Sequence, residues 1–256
     1  MFRTRFKNEI VAEFLPSARA GKKQKVIILC DGMPSMPRKQ ALAGFLARKG
    51  FWVIYPRYRG AWESEGEFLN KSPHEDIRDT VDELSKGTIR EITFGKRFSL
   101  SPDQIFVIGG SFGGAAAILA SLDSRVKKVI ANCPVVDWSI LGKSEKAETS
   151  NPNYAAYIRE AFGHAYRLSD RNWKKLSGLK FYNPSHHIPE ITASKILMFH
   201  ATDDPYVPYA SVQRFAQRTG VRLKSFQRGG HLSTDRIVRT QWSLIKKFFE
   251  DSKPAS

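Results

Sequence analysis

Cysteine is scarce in this chain, and acid is outnumbered. Only two of its 256 residues are cysteines. Both, Cys30 and Cys133, lie near the ends of apolar strand-like runs, so buried free thiols are expected rather than a disulfide, and no zinc-type spacing exists. No apolar stretch is long enough to span a bilayer, and the opening MFRTRFKNEIVAEF is charged and alternating, without the apolar core of a secretory leader. These features lead to the expectation of a soluble, cytoplasmic protein with no membrane partner. Acids number 25 against 41 lysines and arginines, a formal charge of +16. That excess favours polyanions in bulk, but the basic residues are scattered. The densest zone, from Arg218 to Lys247, spreads over a strand and two helices with no nucleic-acid-binding motif, so specific nucleic-acid binding is not expected.

What is present suffices for a large core. With 41% hydrophobic residues, residues 1–256 fit a single α/β domain. Short apolar runs at Val26 to Cys30, Phe51 to Tyr55 and Ile105 to Ile108, and mainly apolar ones at Val126 to Ala131 and Lys195 to His200, read as strands of a parallel sheet, the wholly apolar first of them as one covered on both faces. Phe2 to Phe6 and Ile10 to Leu15 read as antiparallel edge strands. Helical spacing marks Lys39 to Lys49, with Gly50 as its stop, and His74 to Leu84, whose Glu75, Asp76, Asp79, Asp82 and Glu83 are expected on a solvated side.

The chemistry concentrates at Gln104 to Ser121, QIFVIGGSFGGAAAILAS. A β-branched run leads into Gly109-Gly110-Ser111-Phe112-Gly113, a G-x-S-x-G, and then into a helix of small residues. Such a turn lifts a serine hydroxyl above a sheet, and Gly109 and Gly113 stand where side chains would collide. A serine nucleophile needs a base and an orienting acid, each after a later strand. Ala201-Thr202-Asp203-Asp204-Pro205-Tyr206-Val207-Pro208 follows one strand, and Gly229-Gly230-His231 follows the next, at Leu223 to Gln227.

Taken together, GGSFGG, HATDDPYVP and GGH resemble the α/β-hydrolase superfamily, in particular catalytic domains of prolyl-oligopeptidase and acylaminoacyl-peptidase type, from about Lys25 to the C-terminus. The resemblance implies a mostly parallel sheet with helices on both faces and a triad of Ser111, Asp204 and His231. Its acid lies four residues after a histidine, which selects Asp204; the neighbouring Asp203 stays as the alternative. Asp31-Gly32-Met33-Pro34 occupies the place of a His-Gly-x-Pro segment, so the oxyanion donors implied are the N–H groups of Met33 and Phe112. Asp31 is a departure there. Tyr58, in a YRG loop, either assists the oxyanion or merely locks the loop. Trp138 and Tyr206 are further candidates for a substrate pocket.

Residues 138–190, polar and aromatic, fall where these proteins insert a cap, here expected to be short and helical. His186 and His187 lack a carboxylate cluster and are not expected to bind metal. The resemblance implies no cofactor and no metal. It points to a serine hydrolase acting on a small-molecule ester or a short peptide. A carboxylic ester hydrolase is the first reading, because there is no room for the propeller that filters peptides. An aminopeptidase or acylpeptide hydrolase is the alternative, and a non-catalytic binding protein on the same fold is a third. The oligomeric state is open.

Overall fold

The computed structural model describes residues 1–19, 24–141, 154–178 and 180–251. All but the last of the parallel strands form where the sequence is mainly apolar on both sides of the pleat; the last, an edge strand reading RLKSF, is only partly buried. The parallel strands are β3 (Gln24–Cys30), β4 (Phe51–Pro56), β7 (Pro102–Gly110), β8 (Val126–Asn132), β9 (Ile196–Ala201) and β10 (Arg222–Phe226). Along β3, Val26, Ile28 and Cys30 enter one hydrophobic layer while Ile27 and Leu29 enter the other. Alternation therefore buries the strand twice, which accounts for a run with no polar interruption. Two edge strands, β1 (Phe2–Phe6) and β2 (Ile10–Leu15), pair antiparallel to each other, and β2 pairs antiparallel to β4. Among the described residues these eight strands form one sheet, in the order β1-β2-β4-β3-β7-β8-β9-β10.

Helix α1 (Gln40–Arg48) buries Leu42, Ala43, Leu46 and Ala47 on one stripe and stops before Gly50, whose φ of 97° suits glycine. It shares its layer with α9 (Trp242–Glu250), which follows α8 (Thr234–Thr240). On the other face lie α2 (Pro73–Leu84) and α3 (Phe112–Ala120). Every residue of α3 is buried. Its Gly-Gly-Ala-Ala-Ala composition lets the helix axis approach the sheet closely, and a Cβ on Gly114 would meet Pro134 at 2.8 Å.

The sequence-based assignments of strands and helices hold, with two differences. A hairpin of β5 (Thr88–Arg90) and β6 (Arg97–Ser99) was not foreseen, because its strands are three residues long and largely polar. The acids of α2 are not all on a solvated side either. Asp76 is 3% exposed and, with Asp79 and Glu9, holds the Arg59 guanidinium. Burial pushes the Asp76 carboxyl up to about 6, against the opposing pull of Arg59. A distant arginine, invisible to helical periodicity, supplied the partner that made burial tolerable.

The described parts of 138–190 are helical: α4 (Trp138–Leu141), α5 (Tyr154–Phe162), α6 (Asp170–Lys174) and short 3-10 turns. Residues 142–153 lie outside the described residues. This segment is tied down through the YRG loop, where Trp62 N–H donates to Ala165 O at 2.7 Å and Arg167 N–H to Gly60 O at 2.8 Å. Helix α7 (Tyr209–Thr219) joins β9 to β10.

Candidate active site

From β3 the chain moves one way to β4 and then returns to the other side of β3 as β7. A crevice opens at the carboxyl ends of strands where the order reverses like this. Asp31 to Met33 leave β3 there and Ser111 leaves β7. A cleft of about 360 Å³ lies at this point, lined by Met33, Ser111, Phe112, Trp138, Tyr206 and His231 among others.

Ser111 sits at φ 54°, ψ −123°, a conformation costly for any residue with a side chain. Crowding imposes it. A Cβ on Gly109 would fall 2.0 Å from Gly113 O, one on Gly113 would fall 2.4 Å from Asp31 O, and one on Gly110 would fall 2.1 Å from Thr234 Oγ1. The turn is pinned by Ser111 N–H donating to Asn132 O at 2.8 Å.

Asp204 follows β9, with its side chain wholly buried. Its Oδ1 accepts from the N–H groups of Tyr206 (2.9 Å) and Val207 (3.0 Å), and its Oδ2 accepts from His231 Nδ1 at 2.8 Å. Burial pushes this carboxyl up, but the imidazole and the two N–H donors outweigh it and hold it below the usual carboxylate value. A carboxylate can only accept here, so Nδ1 is the donor, and in the neutral ring the lone pair lies on Nε2. The Tyr206 ring meets the imidazole edge-on at 5.5 Å. Ser111 and His231 face the same cleft, though no hydrogen bond of 3.5 Å or less joins the hydroxyl to the ring.

Asp203 does other work. Its carboxylate accepts from Gly229 N–H (3.1 Å) and Gly230 N–H (2.8 Å), which draw the exposed group below its ordinary pKa. Asn132, which the sequence did not single out, donates from Nδ2 to Leu232 O at 2.6 Å. One buried side chain and its own carbonyl thus tie the His231 loop to the Ser111 turn. An asparagine at the end of an apolar strand was the available signal.

Met33 and Phe112 both line the cleft, and neither N–H meets an acceptor among the described residues. Asp31 shapes that loop. Its Oδ1 accepts from Gly32 N–H (3.1 Å) and pairs with Lys39 Nζ (3.2 Å), while Oδ2 takes the Tyr55 hydroxyl in a short bond. Tyr58 does not line the cleft. It is 4% exposed, with its hydroxyl donating to Asp31 O at 3.1 Å, so it locks the loop from behind. Trp138 stays in the cleft, its Nε1 donating to Tyr182 O at 2.7 Å.

Among the described residues one cluster has metal-ligand chemistry: Cys133, His200 and Asp204 place one ligand atom each within 4.8 Å of one another. The donor set fits an ion poorly. Both Asp204 oxygens are already engaged, His200 Nε2 bonds Val207 O at 3.0 Å, and burial pushes the Cys133 thiol far up, away from the thiolate a metal needs. His187 braces its own turn, bonding Glu190 at 2.9 Å and Lys180 O at 3.3 Å.

This sheet, elbow and switch-point cleft are those of an α/β-hydrolase. The profile of the prolyl oligopeptidase family matches residues 39–251. The chain belongs to that family, and it is a hydrolase. Solved structures with this fold include Pyrococcus furiosus esterase Pf2001, at TM-score 0.69 and 17% identity over 97% of this chain and 88% of that one. Pyrococcus horikoshii acylaminoacyl peptidase gives 0.66 and 18%, with all of this chain spanning 42% of the peptidase. The esterase EaEST of Exiguobacterium antarcticum gives 0.64 and 17%, over 96% and 98%. No curated protein sequence matches the chain. No helix among the described residues is long and apolar enough to cross a membrane.

Proposed function

We propose that this protein is a serine hydrolase that cleaves carboxylic esters of small to medium acyl groups through an acyl-enzyme, with Ser111 as nucleophile, His231 as base and Asp204 as the acid that orients it. The observation that carries the proposal is the His231 to Asp204 bond of 2.8 Å, beside a strained serine in the same cleft. His231 Nε2 takes the Ser111 proton as Oγ attacks the ester carbonyl, and the imidazolium then forming is stabilised by Asp204. The N–H groups of Met33 and Phe112 receive the oxyanion, each worth on the order of 3 kcal/mol. The imidazolium returns its proton to the leaving alcohol as the C–O bond breaks. Water, deprotonated by the same nitrogen, then releases the acid.

An ester is favoured because the cleft is modest and walled by Phe112, Val135 and Trp138, side chains suited to an apolar acyl group. The reading as an aminopeptidase or acylpeptide hydrolase stands second. Cytoplasmic residence belongs to the same proposal and is supported by two buried cysteines that stay free. The test is a screen of p-nitrophenyl esters of increasing acyl length against aminoacyl-naphthylamides. The expected result is turnover of the shorter esters that disappears in Ser111→Ala. Turnover of the amides alone would replace the ester reading with the peptidase one.

A further inference from the structure

Seven large apolar side chains among the described residues are exposed, and four of them, Met1, Phe2, Ile92 and Phe94, share one corner. Phe94, at the tip of the β5–β6 hairpin, is 89% exposed. The corner is built as a unit: Ile92 N–H donates to Arg3 O at 3.0 Å, and the rings of Phe2 and Phe98 lie 4.8 Å apart. The tip is held outward by Glu91. Its carboxylate turns inward, 2% exposed, to accept from the N–H groups of Thr93 (2.6 Å) and Phe94 (2.7 Å). The hairpin's one acid is thereby withdrawn from the surface, while Arg90, Lys96 and Arg97 remain exposed around the tip.

From this arrangement we propose that the β5–β6 hairpin docks the protein on an anionic lipid bilayer. A protruding aromatic tip ringed by cations is matched by a surface with a negative headgroup layer over an apolar interior. A second copy is the poorer partner, because two identical cationic rims would face each other across the contact. The hairpin precedes the amino end of β7, and Ser111 leaves its carboxyl end. Eight residue steps at strand rise separate these ends by on the order of 26 Å. The cleft therefore opens away from the bilayer, and the hairpin acts as a tether, not as a route for lipid substrate. This runs against the expectation, drawn from composition, of no membrane partner, and it does not depend on the hydrolase reading.

The experiment is co-sedimentation of the full chain with vesicles of phosphatidylcholine alone or mixed with phosphatidylserine. Binding is expected only to the mixed vesicles and weakened by salt. Ile92→Ser with Phe94→Ser is expected to lower partitioning by about tenfold or more. Arg90→Ser with Arg97→Ser is expected to lower it about 25-fold, at roughly fivefold per basic residue. Both pairs lie on the exposed hairpin, so ester turnover and melting temperature should stay at wild-type values. Failure to bind mixed vesicles, or binding that the Ile92 and Phe94 changes leave intact, overturns the proposal. So does elution as a dimer that those same changes dissociate, since the corner would then be covered by a second copy.

Discussion

The Asp203 carboxylate accepts from Gly230 N–H at 2.8 Å, so the acid next to Asp204 grips the backbone just before the histidine rather than the histidine itself. Two adjacent acids thereby divide the tasks of placing the loop and orienting the ring.

That division predicts unequal losses. Asp204→Asn should reduce kcat/KM by about ten-thousandfold, because an amide no longer enforces the tautomer that leaves Nε2 free. Asp203→Asn keeps one acceptor for the glycine N–H groups and should cost about tenfold or less. Steady-state kinetics on one ester substrate decides between the two.

Lys39 neutralises Asp31 at 3.2 Å beside the N–H groups assigned to the oxyanion. A lone negative charge there would oppose the charge of the transition state. Lys39→Met should therefore lower kcat about tenfold with KM little changed, and Asp31→Asn in the same chain should restore much of it. A double change as slow as the single one would show that Lys39 acts otherwise.

Ser111 at φ 54° holds a conformation that costs L-residues about 1–3 kcal/mol. Alanine bears that cost as serine does, and glycine does not. Ser111→Gly should therefore be more stable than Ser111→Ala by about 1 kcal/mol in urea denaturation, with ester turnover expected from neither.

His74 is half-buried, and burial, with help from His187 and Arg78, lowers it from 6.5 to about 4. Between those values the unfolded chain binds the proton and the folded one does not, so this contribution is complete above 6.5 and is lost as pH falls towards 4. The loss amounts to about 3 kcal/mol. Since Asp76, raised to about 6, acts in the opposite sense over an overlapping range, the comparison must be between wild type and His74→Gln. Their stability difference should change by that amount across the interval in paired urea titrations.

Much of this molecule is legible in its sequence. Strands buried on both faces leave apolar runs, which is why β3, β4, β7 and β9 stand out; β8 is apolar beyond its two lysines. The elbow stood out because Gly109 and Gly113 have no room for a Cβ. Less was legible where a side chain's partner is remote in sequence. Asp76 looked solvated because only the fold brings Arg59 to it, and Tyr58 kept two readings because only the fold turns its hydroxyl onto Asp31 O. Asn132 was missed for the same reason: its bond to Leu232 spans 100 positions. The β5–β6 hairpin carried no signal because a three-residue strand has no period to detect.

The central claim, that Ser111 is the nucleophile activated by His231, is tested most directly by labelling with a fluorophosphonate and mapping the adduct by mass spectrometry. The account predicts one adduct, on the peptide that contains Ser111, formed far more slowly in His231→Ala and absent from folded Ser111→Ala. An adduct on another residue, or undiminished labelling of the Ser111→Ala protein, would contradict it.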